Sequence, residues 1–212
     1  MADIRLIVAD LDGTILGSRD DHLLAIPRFR QILSHLAATN NVKWAVNTGR
    51  TIFSFKRVFQ PLFGQEVRPD YVVVRHAYIY SVKDWGYLPH VIWNTQVWWD
   101  IVVAKWRSKY VINGITRTIR KQFDRVKCRR HGPHRVSFLF RRSEDVDPAY
   151  YQLRVLSKPH KDLIVTEHIN ELTLSTIPFT KGLAVSQMAK HLAIPRENIL
   201  CIGDSHNDIS ML

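Results

Sequence analysis

Residues 4–14 have the sequence IRLIVADLDGT, a short apolar run that leads directly into two aspartates and a glycine. The length of the run and the turn residues behind it predict a buried parallel strand over Ile4–Ala9. Asp10 and Asp12 are one residue apart just beyond this strand, so both carboxylates can face one cavity. Gly13 permits a sharp turn and the close approach of backbone amides to an anion. One carboxylate can then attack phosphorus while its neighbour handles protons, although an acidic loop or a calcium-binding turn has the same pattern.

This strand is the first of a repeated strand–helix pattern. Apolar residues at helical spacing predict a helix over Leu23–Ala38, and a second strand follows at Val42–Val46. A second helix is predicted over Ile52–Phe63 and a third strand over Tyr71–Val74. Strands that alternate with helices in this way form a parallel sheet with right-handed crossovers. Ligands bind beyond the carboxyl ends of such strands, which is where Asp10 lies.

The character of the sequence changes after the third strand. Five of the six tryptophans lie between residues 85 and 106, and we expect most of them to form a core, with stacking on a sugar as the alternative. A basic stretch over residues 105–142 follows, in which Asp124 is the only acid. Such a stretch is either a solvated face or a positive field that attracts phosphate esters or nucleic acid. After the tryptophans in the sequence, a helix is predicted over Pro148–Leu156. Three strands are predicted over Val136–Phe140, Leu163–Glu167 and Leu172–Ser175.

The first pattern returns near the end of the chain. An amphipathic helix is predicted over Leu183–Leu192 and a strand over Ile199–Ile202. The first and last parts therefore share one sheet in our interpretation. Residues 1–78 and 177–212 form the predicted catalytic core, and residues 79–176 form an inserted α+β domain.

Three further groups of residues follow predicted strands or begin a predicted helix. Thr48 and Gly49 offer a hydroxyl and a backbone N–H to a phosphoryl oxygen, although such a threonine often only caps a helix. Lys181 lies at the start of a predicted helix, where the helix dipole favours anions and not a lysine. A phosphate and a carboxylate beside Lys181 would explain its presence at this end. The alternative is a lysine exposed to solvent. Asp204 and Asp208 supply the hard oxygen ligands that suit Mg²⁺.

In their order along the chain, these motifs resemble those of the haloacid dehalogenase superfamily of phosphohydrolases. The motifs are DLDGT at residues 10–14, NTGR at 47–50, TKG at 180–182 and GDSHND at 203–208. The long insertion resembles the subgroup with a large α+β cap, which includes Cof-type sugar phosphatases and sucrose-phosphate phosphatases. The resemblance implies an α/β fold, a Rossmann-like parallel-sheet core with an inserted cap that determines substrate specificity.

The resemblance also implies roles for individual residues. Asp10 is the nucleophile, and Asp12 is the general acid that later activates water as a base. Lys181 holds the charges of the phosphate and Asp10. Phosphate-binding residues are Thr48, Gly49, Lys181 and Asn207. The residues of the metal site are Asp10, Asp12, Asp204 and Asp208. Asp204 ligates Mg²⁺ together with Asp10 and the backbone carbonyl of Asp12, while Asp208 and Asn207 support these ligands.

We therefore expect a Mg²⁺-dependent phosphatase that cleaves a phosphate monoester, such as a sugar phosphate, through a phosphoryl-aspartate. The alternatives are a phosphomutase, which shares the intermediate, and a nucleic-acid-binding protein that uses the basic stretch. The intact aspartates of the first and fourth motifs argue against the nucleic-acid-binding alternative. A small phosphate ester, and not nucleic acid, is therefore the expected partner. The sequence leaves the oligomeric state open.

The composition limits the class of protein. With 212 residues, of which 46% are hydrophobic and 23% charged, the chain can bury a sizeable core and is not of the disordered type. Its 30 Lys and Arg against 19 Asp and Glu give a net charge of +11. No apolar run reaches about 18 residues, so no membrane span is expected. Cys128 and Cys201 have neither metal nor redox spacing, which favours a cytoplasmic protein.

Two features depart from the family pattern. Many relatives carry an Asn-Gly or similar small-residue turn after the third strand, where this chain has Arg75-His76. Relatives also continue beyond the fourth motif, whereas this sequence stops at Leu212. We expect either a fragment or a shortened protein whose exposed sheet edge lowers stability or invites association.

Overall fold

The structure is a computed structural model that describes residues 3–17, 21–63, 68–84, 86–131, 135–160, 163–168, 170–176, 179–205 and 208–212. In chain order the strands are β1 (Leu6–Asp10), β2 (Lys43–Asn47), β3 (Tyr71–Val74), β4 (Tyr78–Lys83), β5 (Gly86–Pro89), β6 (Lys127–Arg130), β7 (Arg135–Leu139), β8 (Ile164–His168), β9 (Glu171–Ser175) and β10 (Ile199–Ile202). The helices are α1 (Asp21–Asn40), α2 (Ile52–Phe63), α3 (Val91–Gln122), α4 (Val146–Ser157) and α5 (Lys181–His191).

The chain forms two compact units. One comprises Met1–Val97 with Phe179–Leu212, and the other comprises Trp98–Pro178. The hairpin of β4 and β5 belongs to the sheet of the first unit, because β4 pairs with β3 along its length. That the inserted segment determines substrate specificity stays a prediction.

The first unit is built on a six-stranded sheet in the order β10-β1-β2-β3-β4-β5. Its first four strands are parallel, and β4 and β5 continue it as an antiparallel hairpin. Every residue of β1 is buried, as expected for an interior strand of a parallel sheet that is covered on both faces. The predicted α/β fold with a Rossmann-like core is confirmed.

Helix α2 covers one face of this sheet with a row of aromatic rings. Phe55, Phe59 and Phe63 recur every four residues and are all fully buried. Their rings stack with centroids 4.8 Å and 4.2 Å apart, and the ring of Trp44 packs beside them. Since fully burying one such side chain contributes about 1.5–3 kcal/mol, this row anchors α2 and the turn that precedes it.

The second unit has a four-stranded antiparallel sheet in the order β6-β7-β9-β8. Its core contains Ile112, Ile115 and Ile119 from one face of α3, together with Val136 and Phe138 of β7. The α+β character predicted for the insertion is therefore present.

The prediction that most of the clustered tryptophans form a core is wrong. The 32-residue helix α3 carries four of them, and Trp98, Trp99 and Trp106 are 53%, 56% and 81% exposed. Only one face of a helix can pack on a neighbouring layer, and these three residues lie off that face. Trp93 is buried and donates its ring N–H to the carbonyl of Ala77 at 2.7 Å. Trp85 lies outside the described residues.

None of the helices in the described part of the chain combines the length and the apolar character needed to cross a membrane.

Candidate active site

The site lies at the carboxyl ends of the parallel strands β10, β1 and β2. The register pairs Asp10 with Asn47, so the last residues of β1 and β2 end side by side. Thr48 comes directly after β2, and Asp204 comes two residues after β10. Parallel strands end at one common edge, and for this reason the topology brings together residues that lie almost two hundred positions apart in the chain.

A buried lysine joins two of the acids. Lys181 is only 2% exposed, and its Nζ lies 2.7 Å from Oδ1 of Asp10 and 2.5 Å from Oδ1 of Asp208. Both carboxylates are also buried. Because an unpaired ammonium is rarely buried, these two contacts explain why a lysine can occupy the first turn of α5. The alternative of an exposed lysine is wrong.

Two neighbouring residues position Lys181. Thr180 caps α5 by accepting a hydrogen bond from the N–H of Leu183 at 3.2 Å. Asn47, at the end of β2, donates from Nδ2 to the carbonyl of Lys181 at 3.1 Å. The start of α5 is thus tied to the strand next to Asp10. This role of Asn47 was not predicted.

Three carboxylates form an acidic cluster. Asp10, Asp204 and Asp208 each offer one oxygen, and these oxygens lie within 4.8 Å of one another. Asp10 and Asp208 are buried, whereas Asp204 is exposed, so the cluster is accessible from the side of Asp204. Hard carboxylate oxygens at this spacing fit the ligand preference of Mg²⁺, and the cluster can bind a metal ion.

Glycine and threonine of the first motif fit around Asp204. Gly13 has φ of 89°, in the left-handed region that glycine adopts without strain. A Cβ at this position would collide with the carboxylate of Asp204. The hydroxyl of Thr14 donates to Oδ1 of Asp204 at 3.0 Å. The first and fourth motifs therefore interlock directly.

The environments of Asp208 and Asp10 shift their pKa values in opposite directions. Burial by itself raises the pKa of Asp208, but hydrogen bonds from Lys181 and from the N–H and hydroxyl of Ser205, at 2.9 Å and 2.8 Å, outweigh it and hold the pKa below the ordinary value. Burial raises the pKa of Asp10 and outweighs the opposing contact with Lys181. The contacts of Asp208 thus favour its ionised form, whereas burial disfavours the ionised form of Asp10.

The carboxylate of Asp12 is held by an arginine. Arg50 donates from Nη2 to Oδ1 of Asp12 at 2.6 Å and from Nε to both oxygens at 3.1 Å and 2.9 Å. This contact raises the pKa of the Arg50 guanidinium further. The structure places the guanidinium of Arg50 on Asp12, one residue from the turn predicted to bind phosphate.

That turn is bordered by a histidine. Thr48 is buried, and its hydroxyl accepts a hydrogen bond from the N–H of Arg50 at 3.1 Å, which leaves the hydroxyl proton available to a ligand. Gly49 is exposed, and a Cβ there would lie 2.7 Å from Nε2 of His76. Asn207, the remaining predicted phosphate-binding residue, lies outside the described residues, as does His206.

Fold and site together define a phosphohydrolase of the haloacid dehalogenase type. A family model for sucrose-6F-phosphate phosphohydrolase matches residues 4–212, and the chain belongs to this family. The predicted superfamily is thereby confirmed, as is the predicted class of enzyme, a phosphoric monoester hydrolase.

Individual relatives are distant in sequence. The chain is 24% identical over 214 residues to 5-amino-6-(5-phospho-D-ribitylamino)uracil phosphatase YcsE of Bacillus subtilis (strain 168), which covers 99% of this chain and 80% of that protein. The fold of this chain is similar to that of the sucrose-phosphatase from Synechocystis sp. PCC6803, whose structure was solved with sucrose and phosphate. The TM-score is 0.67 and the sequence identity 21%, over 100% of this chain and 79% of that one. The IMP-nucleotidase of Plasmodium falciparum has a TM-score of 0.71 and 12% identity over 98% of this chain and 62% of that one.

Proposed function

We propose that the protein is a Mg²⁺-dependent phosphatase that hydrolyses a sugar phosphate or a similar phosphate monoester through a phosphoryl-aspartate on Asp10. The observation that carries this proposal is the buried contact of Lys181 with Asp10 and Asp208. A lysine in this position neutralises part of the charge that would otherwise repel a phosphate from an attacking carboxylate.

In the first half of the proposed reaction, an oxygen of Asp10 attacks phosphorus. The bond between Asp10 and phosphorus forms as the bond to the leaving oxygen breaks, and Asp12 gives its proton to that oxygen. The hydroxyl of Thr48, the N–H of Gly49 and the ammonium of Lys181 bind the phosphoryl oxygens. In the second half, Asp12 takes a proton from water, the water oxygen attacks phosphorus, and Asp10 leaves as a carboxylate.

The pair between Arg50 and Asp12 bears on this scheme. Both oxygens of Asp12 accept hydrogen bonds from the guanidinium, so neither is free to donate a proton to a leaving group. Asp12 has to be protonated to act as an acid, so it must leave this pair before it protonates the leaving oxygen. Arg50 is then available to the incoming phosphate, with which a guanidinium pairs equally well.

Asp10, Asp204, Asp208 and the carbonyl of Asp12 would hold the Mg²⁺ ion. When bound, the ion supplies positive charge at the transferring phosphoryl group and fixes its orientation relative to Asp10. The raised pKa of Asp10 is consistent with this assignment, because burial disfavours its ionised form and a bound cation would favour that form.

The experiment compares Asp10→Asn with the parent protein on p-nitrophenyl phosphate and on a panel of sugar phosphates. We expect the parent to release inorganic phosphate only with Mg²⁺ present, and Asp10→Asn to release none. Asp84→Asn, which changes an exposed acid of the same unit, is the matched control and should remain active. Retained turnover in Asp10→Asn would refute the assignment of the nucleophile, and an isomeric phosphate ester in place of free phosphate would show a mutase.

A further inference from the structure

The turn after β3 has an unusual backbone. Arg75 and His76 have φ angles of 50° and 59°, so two successive non-glycine residues occupy the left-handed region. Side chains with a Cβ rarely adopt this conformation, and such strain persists only where the surrounding structure maintains it. Local folding preference therefore does not account for the residue types at this position.

Backbone hydrogen bonds fix this turn to the one predicted to bind phosphate. The N–H of Arg75 donates to the carbonyl of Arg50 at 3.0 Å, and the N–H of His76 donates to the carbonyl of Thr48 at 3.2 Å. The N–H of Thr48 in turn donates to the carbonyl of Val73 in β3 at 2.9 Å. The two turns thus form one rigid rim at the carboxyl ends of β2 and β3.

The side chains of this rim are basic. The ring of His76 stands against Gly49, where it occupies the space that any larger residue at position 49 would need. Arg75 is exposed, and within the described part of the chain it pairs with no carboxylate. Its guanidinium lowers the pKa of Tyr78, against the larger effect of burial, which raises it. An imidazole and an unpaired guanidinium therefore lie directly beside the phosphate-binding turn.

We propose that Arg75 and His76 form a second anion-binding subsite, and that the preferred substrate is a phosphate ester with a second anionic group, a carboxylate or another phosphate, close to the ester. This proposal rests on the proposed function, because it takes Thr48 and Gly49 as the place where the ester phosphate binds. A neutral sugar offers the guanidinium only hydroxyl oxygens, whereas a second anion accepts stronger, charge-assisted hydrogen bonds.

The test is a pair of ligands that differ in the second anion alone. 3-Phosphoglycerate and glycerol 3-phosphate share the ester and the carbon chain, and only the first carries a carboxylate. Fructose 1,6-bisphosphate and fructose 6-phosphate form the corresponding pair for a second phosphate. Dissociation constants are measured by calorimetry with Mg²⁺ in the Asp10→Asn background, where no turnover is expected. We expect the charged member of at least one pair to bind about 10- to 100-fold more tightly, the range typical of hydrogen bonds to charged groups.

The double substitution Arg75→Asn with His76→Gly separates recognition from structure. Asn and Gly tolerate a positive φ, so the turn should keep its shape and the melting temperature should not fall. The binding ratio within the pair should drop to about one, a loss of about 10- to 100-fold. The matched control is Arg57→Asn, which removes an exposed cation from α2 in the same unit and should leave the ratio unchanged.

Equal binding of the charged and neutral members in both pairs would overturn the proposal, as would a ratio that survives the double substitution. A lower melting temperature in the double variant would also overturn it, because the two residues would then serve the fold. Failure of the proposed function looks different, since the parent protein would release no phosphate from any ester, whatever the binding ratio.

Discussion

Lys181→Met removes the ammonium group that contacts both buried acids, Asp10 and Asp208. Methionine keeps most of the length and apolar volume of the side chain, so the change isolates the charge. In the parent protein Nζ lies 2.7 Å from Asp10 and 2.5 Å from Asp208, and the lysine is 2% exposed. Without it, two buried carboxylates share one site with no cation between them. Breaking a buried ion pair by removing one partner destabilises a protein by about 3–5 kcal/mol. For a protein of this size that corresponds to a fall in melting temperature of about 6–20 °C.

The assay is thermal unfolding, followed by circular dichroism, at about pH 5 and about pH 8 without metal. Protonation relieves the repulsion between the two acids, so the loss should be larger at the higher pH. Adding Mg²⁺ should restore part of the stability, because the ion replaces the missing positive charge. Lys190→Met is the matched control on the same helix: Lys190 is exposed in the last turn of α5, and its loss removes only a helix-dipole contribution of about 0.3–1 kcal/mol.

Two results would refute this reasoning. One is a loss of stability no larger than that of Lys190→Met, and the other is a loss that does not change with pH. Either would show that the ammonium of Lys181 does not compensate the charges of Asp10 and Asp208. Combining Lys181→Met with Asp208→Asn should recover stability beyond the sum of the single changes, which gives the coupling energy of the pair directly.

Further predictions concern the same cluster. Asp10→Asn should leave the metal-free melting temperature unchanged or raise it at neutral pH. The pKa of Asp10 is raised in the folded protein, so ionised Asp10 lowers the stability of the fold at a pH above the folded pKa. This destabilisation is lost as the pH falls through the folded pKa. Asp208→Asn should lower the melting temperature at neutral pH. The pKa of Asp208 is lowered in the folded protein, so ionised Asp208 stabilises the fold at a pH above the unfolded value of about 3.9, and this contribution is lost as the pH falls through the folded pKa. Melting temperatures of Asp10→Asn and Asp208→Asn measured over a series of pH values check the two signs. Gly182→Ala should destabilise by about 1–3 kcal/mol in urea unfolding, because its Cβ would collide with the carbonyl of Ser210. Arg50→Lys should lower kcat by about 10- to 100-fold, since a lysine ammonium lacks the planar guanidinium that pairs with the incoming phosphate. The melting temperature should not change, because the contact with Asp12 is partly exposed; an unaltered kcat would contradict the role of Arg50.

Most elements of the first unit follow from local patterns in the sequence. The predicted helix over Ile52–Phe63 and the strands over Tyr71–Val74 and Ile199–Ile202 have the observed bounds. The predicted first strand ends at Ala9, whereas β1 continues to Asp10, because the pairing with β2 extends to the register partner Asn47. Strand ends depend on the neighbouring strand, which a single sequence does not show.

Helix α3 shows where local patterns fail. Its apolar and aromatic residues do not repeat on one face along the whole helix. Ile112, Ile115 and Ile119 have the usual spacing, but Trp98, Trp99 and Trp106 are exposed and add apolar residues off that spacing. Clustered tryptophans normally indicate a core. Exposed tryptophans cannot be told from buried ones in the sequence unless the layer on which the helix packs is known.

The predicted site residues could be found because each follows a strand or opens a helix in a short recognisable motif. The residues that were missed contact those residues in the structure. Asn47 holds the carbonyl of Lys181, Ser205 holds Asp208, and Arg50 holds Asp12. Their contacts join motifs from distant parts of the chain, so they depend on the three-dimensional arrangement. In two of these cases the signal was adjacency, since Asn47 and Arg50 border the predicted phosphate-binding turn.

The charges of the site explain why one lysine is not enough for the proposed chemistry. Asp10, Asp204 and Asp208 carry three negative charges when ionised, and Lys181 supplies one positive charge. A phosphate monoester brings close to two more negative charges at neutral pH. Two like charges about 4 Å apart repel by about 4 kcal/mol at an effective dielectric constant of about 20. In the proposed reaction, a divalent cation bound by the carboxylate cluster would offset this repulsion and let the phosphoryl group approach Asp10. Burial raises the pKa of Asp10 in the metal-free protein, and a bound cation would favour its ionised form.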